Sequence, residues 1–252
     1  MGQSAMIIKT ETLTGVFSLD SLIGNLTKDA LIFIVGRPGT GKTTLALKIV
    51  QHMVRDSSKA VLFSFEHTES QIMCRLEKMN RGPLPEDHNI IVEDNCFLSV
   101  TEMQMICEKI DDLGIVIVDY LQLVYADRSK PSSGIRSEEI AVICRELKAM
   151  SEKLQVPVVC TSQLHRACEY RVDKRPLLSD LWFCPQIESI SDQVLFLYRD
   201  SYYNSDTLES EYVECIVAKN TYGDLGTVAL RWNLETISFE EYVERNILSI
   251  EV

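Results

Sequence analysis

A chain of 252 residues with 46% hydrophobic and 25% charged content is long enough to bury one large core, and a single α/β domain over 1–252 is expected. The formal net charge of -12 argues against diffuse, sequence-independent attraction to nucleic acid, which rests on lysine and arginine neutralising phosphates, so any such contact has to be local. No apolar run approaches the ~20 residues of a membrane span, and the polar start MGQSAMIIKTET lacks the apolar stretch of a secretory signal, so the sequence predicts a soluble cytoplasmic protein with no membrane partner.

In chain order, apolar runs of strand length occur at 31–35, 60–65, 115–118, 156–161, 194–198, 212–218 and 227–232. Helical spacing marks 43–54, 69–79, 101–113 and 135–154, the last through Ile140, Ile143, Leu147 and Met150. Strands alternating with helices predict a mostly parallel central sheet flanked by helices on both faces. The final runs have no helix between them and carry turn residues at 203–205 and 222–226, so antiparallel hairpins are expected at the C-terminal end. Residues 1–25 read as a lead-in segment, and 126–134 and 165–185 as flexible loops. Eight cysteines, with no CxxC pair and most within apolar segments, read as packed free thiols rather than a disulfide framework.

The run LIFIVGRPGTGKTT, 31–44, has the spacing of a phosphate-binding loop. After a buried strand the backbone must curl around an oxyanion with successive N–H groups pointing inward, and Gly36, Gly39 and Gly41 permit that path. Arg37, Pro38, Thr40 and Thr44 complete the loop, Lys42 reaches the β- and γ-phosphates, and Thr43 offers its hydroxyl to magnesium at a helix N-terminus. A nucleoside triphosphate, ATP with Mg2+, is the expected ligand.

Three further residues fall at expected strand ends. Asp119 closes an apolar run and suits a metal-orienting role, although a strand-terminal turn aspartate has the same pattern. Glu66 follows VLFSF and is equally compatible with a base for an attacking water or with a cap for the helix beginning near Glu69. Gln163 ends VPVVCTS, where a neutral amide can sense a γ-phosphate or simply bond a loop. Two basic clusters, Arg128, Lys130 and Arg136, and Arg166, Arg171, Lys174 and Arg175 with Glu169 and Asp173 between them, are the candidate nucleic-acid surfaces or, equally, solvated loops.

The order of these pieces resembles the RecA-like P-loop ATPase domain of DnaB-type replicative DNA helicases over nearly the whole chain. GVFSLDSLIGNL looks like that family's lead-in, GRPGTGKTTLAL its first motif, and FSFEHTESQIMCRL its catalytic-glutamate segment with Glu66 and a following Arg75. DYLQLV at 119–124 and SQLHRACEYRVDKRPLLSDL at 162–181 match further motifs, and AKNTYGDLGTVALRW at 218–232 resembles a hairpin that in the family reaches a neighbouring subunit's ATP site. The resemblance implies an ATP-dependent helicase domain in replication, with Glu66, Gln163 and Lys42 catalytic, Thr43 and Asp119 on magnesium, single-stranded DNA as partner, and a ring of like subunits. A RecA-type recombination or clock ATPase on the same fold fits the motifs less well.

Three departures from the family pattern are informative. Lys219 is kept as a trans-acting lysine, but the arginine-finger position is Thr221, with Arg231 or Arg245 as conceivable substitutes. Trp182, Phe183, Cys184 and Pro185 replace the residues that line the family's DNA pore, and suit either base stacking or packing. The stretch before the phosphate loop shows no counterpart of the family's N-terminal helical domain or linker helix. These departures support a second expectation, an ATP-binding switch or loader-like interaction module that has lost unwinding and works with a replication partner.

Overall fold

The computed structural model describes residues 14–54, 58–126, 134–181, 184–204, 206–207 and 210–242. In chain order the elements are α1 (Phe17–Ile23), β1 (Leu31–Gly36), α2 (Lys42–Met53), β2 (Lys59–Ser64), α3 (Glu69–Asn80), β3 (Ile90–Glu93), α4 (Val100–Cys107) and β4 (Leu113–Asp119). They continue with α5 (Arg136–Leu154), β5 (Val158–Gln163), α6 (Gln186–Ile190), β6 (Gln193–Tyr198), β7 (Tyr212–Asn220), β8 (Gly226–Asn233) and β9 (Ser238–Glu241).

The nine strands of the described residues form one sheet in the order β3-β2-β4-β5-β1-β6-β7-β8-β9. From β3 to β6 every pairing is parallel, and from β6 to β9 every pairing is antiparallel. Every residue of β1 is buried, because alternate side chains enter different cores. Ile32 and Ile34 pack with α1, α2 and α3, while Leu31, Phe33 and Val35 pack with α4, α5 and α6. The unbroken apolar run that marks 31–35 in the sequence is therefore the signature of a central strand covered on both faces.

Several boundaries differ from those read in the sequence. The helix expected over 101–113 ends at Cys107, because Asp112 adopts a positive φ of 59° and its carbonyl accepts from the Lys59 amide, so that Leu113 already belongs to β4. The strand expected at 156–161 lies two residues later, which makes Gln163 the last strand residue. The lead-in contains α1, too short for its periodicity to stand out, with Leu19 and Ile23 buried. Its Ser18 amide and hydroxyl donate to the Glu241 carboxylate of β9 at 3.0 and 2.6 Å, joining the two ends of the described chain. Within 165–185 there are short 3-10 turns at 166–170 and 178–181. Six of the eight cysteines are buried and two, Cys74 and Cys96, are exposed.

Asp192, just before β6, joins four elements. Its Oδ2 accepts from the Leu31 amide at 2.8 Å and the Lys148 ammonium of α5 at 3.0 Å. Its own amide donates to the Leu31 carbonyl, and its carbonyl accepts from the Thr221 amide and hydroxyl beyond β7, both at 2.9 Å. Removing the carboxylate strands a buried N–H and takes its nearest carboxylate from the Lys148 ammonium, which keeps the Asp29 carbonyl and Glu152. Asp192→Ala should therefore lower unfolding free energy by about 2–4 kcal/mol in urea titrations, and Asp192→Asn, which keeps an acceptor for Leu31, by about half as much.

Candidate active site

The phosphate loop runs from the end of β1 to the first turn of α2. Gly39 and Gly41 have φ of 76° and 101°, a region open to glycine. A side chain on Gly41 would strike the ring of Phe239 from β9, so the loop lies directly on the last strand. The Thr40 hydroxyl and the Lys42 ammonium both donate to the Arg37 carbonyl, at 2.8 and 3.0 Å, which closes the curl. The Arg37 side chain turns the other way: its Nε donates to Glu169 at 2.7 Å and its Nη1 to the Leu164 carbonyl at 2.8 Å, tying the loop to the segment after β5.

Asp119, at the buried tip of β4, is held from two sides. The Thr43 hydroxyl donates to its Oδ2 at 2.8 Å, and the Thr161 hydroxyl of β5 donates to its Oδ1. Lys42 has no carboxylate within ion-pair distance among the described residues, and burial lowers its ammonium to about 8 against the pull of Asp119 and Glu66. The peptide bond from Asp119 to Tyr120 is cis.

One cavity of about 340 Å³ gathers Gly39, Gly41, Lys42, Thr43, Glu66, Asp119 and Gln163, together with Pro38 and Thr44. Of the loop residues singled out in the sequence, Gly36, Arg37 and Thr40 shape the loop rather than line the cavity. Glu66 is exposed just past β2 and makes no hydrogen bond to a described residue. The cap of α3 belongs instead to Thr68, which forms a capping box with Gln71. The Gln163 side chain likewise has no partner among the described residues, while its backbone is held by the Gln122 side chain.

An undercoordinated carboxylate–hydroxyl pair, a buried ammonium facing only a carbonyl, and a glycine cradle at a helix N-terminus together fit a triphosphate with a divalent cation. Thr43 and Asp119 are the residues able to hold the cation, and Lys42 with the loop amides the phosphates.

The candidate nucleic-acid residues fare unequally. Arg171 forms a bidentate pair with Asp180 at 2.6 and 2.8 Å, and Arg175 does the same with Glu214 at 2.7 and 2.6 Å. Both acids are buried; Arg171 braces the segment after β5 internally, and Arg175 fastens it to β7. Lys174 lies over the Tyr203 ring at 5.4 Å, and Arg166 is exposed without a partner among the described residues. Arg136 donates to the Gln122 and Val124 carbonyls, both at 2.9 Å. Lys219 donates to the carbonyls of Glu188 and Ser191 at 2.6 and 2.5 Å, at the end of α6, and Arg231 pairs with Glu211. Arg128, Lys130, Trp182, Phe183 and Arg245 lie outside the described residues.

Sequence pattern does not single out His67, Tyr120, Trp232 or Ile237, all of which line the cavity beside Arg75. Trp232 and Ile237 arrive there because β8 and β9 fold back over the loop, and β9, at four residues, is too short to announce itself.

Comparison with known proteins matches the family described as DnaB-like helicase C terminal domain to residues 12–82 and 77–241. A replicative DNA helicase of Bacillus subtilis, DnaC, is 34% identical over 90% of this chain, and Haemophilus influenzae DnaB is 33% identical over 94%. The chain spans 55% and 56% of those two relatives, a little over half their length. A protein solved as an isolated ATPase domain superposes with a TM-score of 0.83 at 31% identity, covering 92% of this chain and 91% of that one. A DnaB-like replicative helicase, solved in a study of its interactions with primase, gives 0.82 at 31% identity, covering 92% of this chain and 63% of its own. The RadB recombinase, at 18% identity and 0.65, shares the fold. With the phosphate loop, the Asp119 strand tip and the sheet order all in place, the chain belongs to the DnaB-like helicase C-terminal domain family.

Proposed function

We propose that this chain binds Mg-ATP in the cavity between α2 and the tips of β2, β4 and β5, and hydrolyses it as the ATPase domain of a DnaB-like DNA helicase acting on single-stranded DNA. The observation that carries the reading is the Asp119 carboxylate, shared between Thr43 and Thr161 beside an unpaired Lys42. A magnesium ion on Thr43 and Asp119 would supply neutralisation of phosphate charge. The loop amides and Lys42 hold the β- and γ-phosphates, and the free amide of Gln163 contacts the γ-phosphate. Glu66, exposed in the cavity and unpartnered, accepts a proton from the water that attacks the γ-phosphorus in line.

The pairing of Arg171 and Arg175 within the chain, and the residue Thr221 where the family carries an arginine, favour a second reading: an ATP-binding switch that engages a replication partner without unwinding. An arginine finger contributes roughly 10³ or more in rate in related phosphoryl-transfer systems, so slow basal turnover is expected without one. Hydrolysis measured against protein concentration separates the two. Glu66→Ala should retain nucleotide binding and lose about 10²-fold or more in turnover. Thr221→Arg should accelerate turnover in a concentration-dependent way if subunits complete one another's sites, and should change nothing if the chain is a monomeric switch.

The lowered Lys42 ammonium gives a pH signature. Bound phosphate favours the charged amine, so the complex holds more protons than the free protein near pH 8. Nucleotide affinity should therefore fall as pH rises through 8, with proton uptake visible as a buffer-dependent calorimetric enthalpy. Lys42→Arg, charged throughout, should flatten that dependence.

A further inference from the structure

The sheet is uneven at its carboxyl edge. β4 ends at Asp119 and its pairing with β5 runs only to Val118 opposite Cys160, whereas β5 continues to Gln163. On the other side Gly36 sits opposite Gln163, and the Gly36 carbonyl accepts from the Leu164 amide. In a parallel ladder, alternate residues turn their peptide groups to opposite neighbours. The N–H and C=O of Gln163 therefore face the side where β4 has already stopped.

The side chain of Gln122 takes the place of the missing strand. From the 3-10 turn at Leu121–Leu123 its Oε1 accepts from the Gln163 amide at 3.1 Å. Its Nε2 donates to the Gln163 carbonyl at 3.2 Å and to the Ser162 hydroxyl at 2.9 Å. A primary amide carries donor and acceptor in the arrangement of a peptide group, which neither a carboxylate nor a hydroxyl reproduces. The Gln122 carbonyl in turn accepts from Arg136, whose Nη2 also bonds the Val124 carbonyl, so the first residue of α5 fixes the turn that carries the amide.

We propose that Gln122 is a positioning residue for Gln163, standing in for a strand so that the unpartnered Gln163 side chain is aimed into the cavity, with Arg136 holding Gln122 from the start of α5. The proposal rests on the reading of Gln163 as the γ-phosphate contact. That side chain has no bond of its own among the described residues, so its direction depends on the backbone that Gln122 holds. A displacement of about 1 Å at such a group is enough to cost a large factor in rate.

Gln122→Met keeps the shape and removes the three bonds. Hydrogen exchange at the Gln163 amide should speed up at least about tenfold, while single-turnover ATP hydrolysis should slow about tenfold with KM changed less than about twofold. Arg136→Ala, on the surface, should give the same pattern more weakly and guards against a variant that fails to fold. Gln163→Ala should lose at least as much rate, and the double variant no more than Gln163→Ala alone, as expected for residues acting in series. Unchanged exchange at Gln163 in Gln122→Met overturns the proposal, as does an unchanged rate when Gln163→Ala is slow. If Gln163→Ala itself hydrolyses normally, the γ-phosphate reading of Gln163 fails, and the exchange result alone decides whether Gln122 holds it.

Discussion

Asp119 gives its two carboxylate oxygens to two different elements, Oδ2 to the first turn of α2 through Thr43 and Oδ1 to β5 through Thr161. The strand order makes this necessary, because β5 lies between β4 and β1, and the phosphate loop leaves from β1. A buried carboxylate held by two neutral hydroxyls is incompletely compensated, and the ammonium that shares its cavity is itself weakened by burial. Both charges therefore gain from a ligand that carries a cation on one side and phosphate on the other. That shared deficit also explains why so much nearby polar capacity, at Glu66 and Gln163, has no internal partner among the described residues.

The same sheet sets what one chain can reach. The cavity opens at the carboxyl edge of the parallel strands, beyond Gly36, Ser64 and Asp119. The turn between β7 and β8 lies at the other edge, since Asn220 pairs with Gln193 at the start of β6. Six residues of β6 put the two edges about 20 Å apart. Thr221 and Lys219 cannot act on the chain's own cavity and are instead bonded to Asp192 and to the end of α6. Under the proposed function, any contribution from this turn would go to a second copy, through a head-to-tail contact between opposite edges of like subunits.

The parts of this structure legible in the sequence are those whose physics is local. β1, β2, β4 and β6 contain continuous apolar runs, β7 and β8 are apolar runs interrupted by Glu214 and Arg231, and α2, α3 and α5 carry three- and four-residue spacing, so their patterns name them. The phosphate loop is legible because its glycines answer a backbone demand. β3, β9, α1 and α6 are short and owe their form to neighbours: β3 follows β2 in register, and β9 closes on α1 through Glu241 and Ser18. The fates of Arg37, Arg171 and Arg175 are equally hidden, because Glu169, Asp180 and Glu214 are assigned to them by the fold rather than by spacing. Gln122 is the clearest instance, since its task exists only because β4 stops before β5 does.

Pairing within the chain also changes the meaning of the basic stretch at 166–175. Two of its four cations neutralise carboxylates that are nearly inaccessible to solvent, with side-chain exposures of 5% for Asp180 and 7% for Glu214. Without Arg171 and Arg175 those acids would be buried charges lacking a cation, which is strongly unfavourable. Arg171 thus braces the segment between β5 and α6 against itself through Asp180, Arg175 docks it onto β7, and Arg37 adds a tie from the phosphate loop through Glu169 and Leu164. The segment that starts at Gln163 is in this way connected to the nucleotide cavity at one end and to the sheet at the other. Arg166 and Lys174 are left to supply the outward charge of this segment.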